Sequence, residues 1–108
     1  MERTMVNADK KYFLIELIPP RPTFAFDLSD EEKQLMAEHG KYWRPHIDRG
    51  IVVVLGPVLG KTRSWGVAVV EAEGEATVRG IIENDPTIRS GRGFTFEISP
   101  IGPGFVRS

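Results

Sequence analysis

The segment Ile51-Val52-Val53-Val54-Leu55 is apolar at every position. Successive side chains of a strand point to opposite faces, so a strand wetted on one side alternates apolar with polar residues. This one has no polar face, and it needs cover above and below. Tyr12–Ile18 makes nearly the same demand. Phe13, Ile15 and Leu17 form one apolar face, and Tyr12, Leu14 and Ile18 form the other, interrupted only by Glu16. In 108 residues one domain is expected. Such a chain would keep roughly 6,000 Å² exposed when folded, against roughly 17,500 Å² unfolded. Its own core is therefore modest, and a second copy would bury more apolar area.

The rest of the chain supplies cover for one side. Pro19, Pro20 and Pro22 end the first strand, because proline lacks the ladder donor. Phe24 and Phe26 lie in the following loop, either tucked over the core edge or serving as a lid or subunit contact. Ser29-Asp30-Glu31-Glu32 is a capping box opening a helix, with acids at the positive end of its dipole. Leu35, Met36, His39, Tyr42, Trp43, His46 and Ile47 recur at helical spacing. Pro45 predicts a kink or break, and Gly50 is a natural residue to follow the helix end. The strand 51–55 runs into Gly56-Pro57, read as its exit, and Trp65–Glu71 is a third strand. Gly74–Glu83 reads as a second helix with Ala76, Ile81 and Ile82 inward, ended by Asn84-Asp85-Pro86. Gly93–Ser99 is a fourth strand.

The order is βαββαβ, the α+β arrangement that lays two helices on one face of a four-stranded antiparallel, ferredoxin-like sheet. The other face remains for a second copy, so a homodimer joined through its sheets follows from the pattern. The domain is expected over 11–101, with 102–108 a partly disordered Gly/Pro tail.

Lys+Arg number 14 against 15 Asp+Glu, so no basic excess points to nucleic acid. The absence of cysteine removes disulfides, thiolate catalysis and thiolate-bound metals, and fits a cytoplasmic protein. The polar start at 1–11 does not read as a signal peptide, and no apolar run is long enough for a transmembrane helix. His39 and His46 share a helical face, but seven residues rise about 10.5 Å, too far for one ion. No metal and no cofactor is expected. Lys61, Arg63, Arg89 and Arg92 flank two loops, as solvated charges or as holders of an anionic substrate.

One constellation looks chemical. His39 lies on the inward side of the first helix and Asp85 at the exit of the second, on the same side of the sheet. There they can meet as an acid–base pair. Each also has an ordinary explanation: His39 as a core histidine bonded to a carbonyl, Asp85 as the turn initiator before Pro86.

His39 with Tyr42, Gly50 eleven residues after that histidine, the apolar strand into Gly56-Pro57, and Asp85-Pro86 after the second helix resemble the YciI-like (YCII-related) proteins of the dimeric α+β barrel superfamily. The resemblance spans about 11–101. It implies sheet-to-sheet dimers and a His–Asp dyad carried onto His39 and Asp85. It also implies a substrate pocket near Tyr42, Gly56 and Pro57. One branch of that family resembles dehydrochlorinases of chlorinated hydroxyhydroquinones, so lyase chemistry is implied as one outcome. Thr87, the proline-rich loop and Pro45 depart from the family pattern. The expected function is a small cofactor-independent enzyme acting by elimination or isomerisation on a cyclic or phenolic molecule. The alternative is a non-catalytic dimeric ligand-binding or accessory module.

Overall fold

The computed structural model describes residues 3–5 and 11–107. Residues 1–2 and 6–10 of the polar N-terminal stretch, and the last residue of the tail, lie outside the described residues. In chain order the elements are β1 (Arg3–Met5), β2 (Lys11–Ile18), a 3-10 turn (Phe24–Phe26), α1 (Asp30–Asp48), β3 (Val52–Leu59), β4 (Ser64–Ala72), α2 (Glu75–Glu83), α3 (Pro86–Arg89), β5 (Thr95–Ile101) and β6 (Phe105–Arg107). The large sheet has the order β3-β4-β2-β5, antiparallel throughout, with the helices on one side. This is the ferredoxin-like βαββαβ arrangement expected from the pattern.

Register assigns the faces. Phe13, Ile15, Ala68, Val70 and Val52 form the helix-covered face and pack with Trp43, Val78 and Ile82 into the main core. Val78 is fully buried and Ala76 exposed, so α2 is rotated from the expected orientation. The larger side chain at 78 gains more from burial. The opposite face carries Leu14, Val67 and Val69, all half-buried. At the β3 edge Val53 is 62% and Val54 50% exposed. The second cover that the apolar strand demands is therefore not provided by the described residues of one chain.

The capping box forms as expected: the Glu32 N–H donates to Ser29 Oγ at 3.2 Å, and the Ser29 N–H donates to Glu32 Oε1 at 2.9 Å. At the other end Gly50, at φ 79°, donates to the Ile47 carbonyl, and Ile51 donates to His46. Those two bonds make a Schellman cap, and only glycine takes that backbone angle without strain.

Pro45 does not break α1, which runs unbroken from Asp30 to Asp48. A mid-helix proline costs about 3 kcal/mol. Buried Trp43 before it and half-buried Ile47 after it hold both halves against the same core. Gly56-Pro57 likewise does not end β3, which continues to Leu59. Because β3 is an edge strand, proline's missing N–H needs no partner on the open side. Pro100 sits in β5, the other edge, for the same reason. Within the C-terminal tail β6 pairs antiparallel with β1.

The loop after β2 is fastened rather than loose. Arg21 donates through both terminal nitrogens to the Glu32 carboxylate at 2.8 Å each, and through Nε to Asp27. Phe24 is buried edge-to-face on Phe94 at 5.2 Å between ring centres, while Phe26 stays exposed. The bonds from Arg21 and then Ser29 hold the Glu32 carboxyl at about 2, below its ordinary 4.5. A depressed carboxyl stabilises the fold fully above its unfolded pKa, and that contribution is lost as pH falls. Thermal melts are therefore expected to fall between pH 4.5 and about 2. Glu32→Gln should flatten the fall, and an equally steep decline in that variant would remove Glu32 as its source.

Candidate functional site

Asp85 precedes a proline, which disfavours helical backbone at its own position. It takes extended angles, φ −63° and ψ 132°, and becomes the N-cap of α3 with Pro86 in the first turn. Its side chain turns back into the core and is 2% exposed. Thr87 donates to Asp85 Oδ1 twice, from its backbone N–H and from its hydroxyl, each at 2.8 Å.

The other donors come from α1. His39 and Trp43 are four residues apart, hence on one helical face. The Trp43 indole Nε1–H donates to Asp85 Oδ2 at 2.6 Å. His39 Nδ1 lies 2.8 Å from Oδ2 and 3.1 Å from Oδ1. Four groups thus converge on one buried carboxylate. Burial works against its charge, but the bonds from His39, Trp43 and Thr87 prevail and hold it below the ordinary carboxylate range. An ionised Asp85 accepts only, so Nδ1 is the protonated nitrogen of a neutral His39. Nε2 then keeps its lone pair, with no protein partner among the described residues.

His39 and Trp43 form part of the wall of a cavity of about 350 Å³. It lies between α1, the loop at 19–28 and the sheet. Its floor is low because the paired positions are small: Gly66 lies across from Leu17 and Pro57, and Ala68 from Ile15 and Leu55. A Cβ at Gly66 would come within 3.2 Å of the Leu17 Cβ. Phe24 and Leu28 close the loop side. Ser64 also reaches the wall, but its hydroxyl donates to the Pro22 carbonyl at 3.0 Å and accepts from the Ala25 N–H.

The YCII-related domain model matches residues 12–102. The chain belongs to the YCII-related family. Among curated proteins no relative matches its sequence. Among solved structures the chain is similar to an uncharacterized protein, TM1266, from Thermotoga maritima. The two share 10% identity at a TM-score of 0.45, over 94% of this chain and 100% of that one.

In this YCII-related chain the expected site residues separate. His39 and Asp85 are brought together, and Gly56 and Pro57 line the cavity. Tyr42 does not. Its hydroxyl donates to the Ile81 carbonyl at 2.6 Å, joining α1 to α2, while burial and then the Asp85 charge push its pKa up. His46 packs on Tyr42 and Trp43, and its Nδ1 accepts from Arg49 Nη2 at 2.7 Å. Burial and the Arg49 charge lower its pKa.

The loop cations are also elsewhere. Arg92 pairs with Glu31, Arg89 donates to Asn84, and Arg63 lies over the Trp65 ring. Lys61 is exposed in the β3–β4 turn, so none of the four lines the cavity. Among the described residues no group of three His, Cys, Asp or Glu could share a metal ion, and no helix is long and apolar enough to cross a membrane.

Trp43 and Thr87 are the site residues that the sequence reading missed. Trp43 carried a signal in its i,i+4 spacing from His39, and Thr87 in its place two residues after an N-capping aspartate.

Proposed function

We propose that this YCII-related protein is a small cofactor-independent enzyme in which His39 and Asp85 form an acid–base pair. Its substrate is a small cyclic or phenolic molecule, and its reaction an elimination or isomerisation. The observation that carries this reading is one of geometry: His39 is bonded through Nδ1 to a buried, ionised carboxylate, its other nitrogen has no partner among the described residues, and the residue lines an apolar cavity.

In this mechanism Nε2 removes a proton from the bound molecule. The positive charge that develops on the ring is balanced by Asp85. All four donors to Asp85 hold it as an acceptor, so it orients and stabilises rather than taking the proton itself. His39 then delivers the proton to the rearranged product or to a leaving group. A positioned base of this kind contributes about 10²–10⁴-fold. The test is proton exchange: candidate cyclic enones and phenols are incubated in D₂O and followed by NMR. The wild-type chain is expected to catalyse deuterium uptake or elimination, and His39→Gln is not. Equal rates in both would remove His39 from the chemistry.

A second reading is a non-catalytic ligand-binding or accessory module. It is favoured by one observation, that Asp85 also caps α3 and secures Trp43, work a purely structural aspartate would do.

We also propose a homodimer, with the uncovered sheet face buried against its copy, and place it in the cytoplasm. The single chain exposes 7103 Å², more than the roughly 6,000 Å² expected for its mass. Leu14, Val54, Val67 and Val69 lie on that face. Sedimentation at micromolar concentration is expected at twice the 12.1 kDa chain mass. A 12.1 kDa species there would exclude the dimer.

A further inference from the structure

We infer that the cavity beside His39 takes an uncharged, mostly hydrocarbon molecule about the size of two fused rings, carrying one hydrogen-bonding O–H placed against Nε2. The inference rests on the acid–base reading of His39 and adds the chemical class of the ligand.

Size comes first. The cavity measures about 350 Å³. At the ~30 Å³ that one water occupies, it holds roughly a dozen non-hydrogen atoms.

Polar capacity comes second. Besides the indoles of Trp43 and Trp65, which can only donate, the wall's polar side chains are His39, Ser64 and Asp85. The Asp85 oxygens are taken by four donors, and the Ser64 hydroxyl is bonded on both sides. Nε2 of His39 is the acceptor atom among them with no partner among the described residues. A second O–H or N–H held inside the cavity would find no such unpartnered acceptor and would weaken binding.

Charge comes third. Among the described residues no lysine or arginine lines the cavity. A carboxylate would meet no cation there. Even a protonated His39 would not serve, because its charge is already matched by Asp85 at 2.8 Å. An ammonium would give up its hydration for a single lone pair, with the Asp85 charge already taken up by its own donors.

The test uses the full chain, labelled with ¹⁵N, and three probes of one shape: 2-naphthol, 2-naphthoate and 2-naphthylmethylammonium. 2-Naphthol is expected to move the amides of Leu55, Gly56, Gly66 and Ala68 and the Nε2 resonance of His39. It is expected to bind ~100-fold or more tightly than either ion, the difference an unpaired buried charge imposes. Ala68→Leu, which fills the floor, is expected to abolish those shifts. In the wild-type chain, contacts between naphthol ring protons and the Leu17 and Leu55 methyls locate the ligand independently, should that variant fold poorly. Either ion binding within about tenfold of 2-naphthol overturns the inference, as does naphthol at saturation leaving those amides unmoved. Binding is read here without turnover. A chain that shows this selectivity but catalyses nothing keeps the inference and loses the enzymatic reading. A chain that exchanges protons yet binds naphthoate equally well keeps the dyad and loses the inference.

Discussion

Asp85→Ala is expected to lower stability by about 3–5 kcal/mol, the usual consequence of removing one partner from a buried charged pair. The carboxylate is 2% exposed and is the acceptor for His39, Trp43 and both donors of Thr87. Alanine leaves the indole N–H and the Thr87 amide buried without partners, and it removes the cap of α3. For a domain of this size each 1 kcal/mol corresponds to about 4–8 °C in Tm, so a fall of at least ~12 °C should appear in calorimetry. His39→Ala removes one donor and leaves three, so its effect on Tm should be much smaller. Equal losses in the two variants would mean that Asp85 matters to the fold only through His39.

Asp85→Asn is the variant with the largest expected effect on turnover, about 10⁴-fold, as when an amide replaces the carboxylate that orients a catalytic histidine. The amide has the right shape but neither the charge nor two acceptors. With its NH₂ turned toward α1 it opposes the Trp43 indole N–H, and turned toward α3 it opposes the Thr87 amide. Either way one buried donor is unmatched, at about 1–3 kcal/mol, and the imidazolium formed during proton transfer has no counter-charge. The check is turnover of the substrate found by proton exchange, alongside a melt showing the variant folded. Turnover within tenfold of wild type would leave Asp85 as a structural cap and remove it from the acid–base pair.

Most of the architecture was legible because local signals agreed with it. The capping box at Ser29 and the glycine at 50 each state a physical requirement that the fold then meets, whereas the two-sided apolar strand at 51–55 asks for a second cover that the described residues of one chain do not supply. The errors share a different cause. Pro45 and Pro57 were read by their local cost, and tertiary position reversed the outcome: a core-anchored helix in one case, an edge strand in the other. The dyad could be anticipated from His39 and Asp85 sharing one side of the sheet. The rest of the site could not. Trp43 looked like core packing, which it is, at 2% exposure, and its N–H bond depends on where Asp85 turns. Tyr42, adjacent to Trp43, points to α2 instead, because one helical step of about 100° moves a side chain off the cavity face. The cavity itself comes from small residues, Gly66 and Ala68, in register between larger ones, and register is not written in either strand alone.

The acid–base reading depends most directly on which nitrogen of His39 carries the proton. Long-range ¹H–¹⁵N correlation on the wild-type chain, at a pH where the ring is neutral, reads this without any substrate. The account predicts a protonated Nδ1 and a bare Nε2, held as a single tautomer by the bond to Asp85. A neutral His39 carrying its proton on Nε2 would contradict it, because the nitrogen not bonded to Asp85 would then have no lone pair with which to accept a proton.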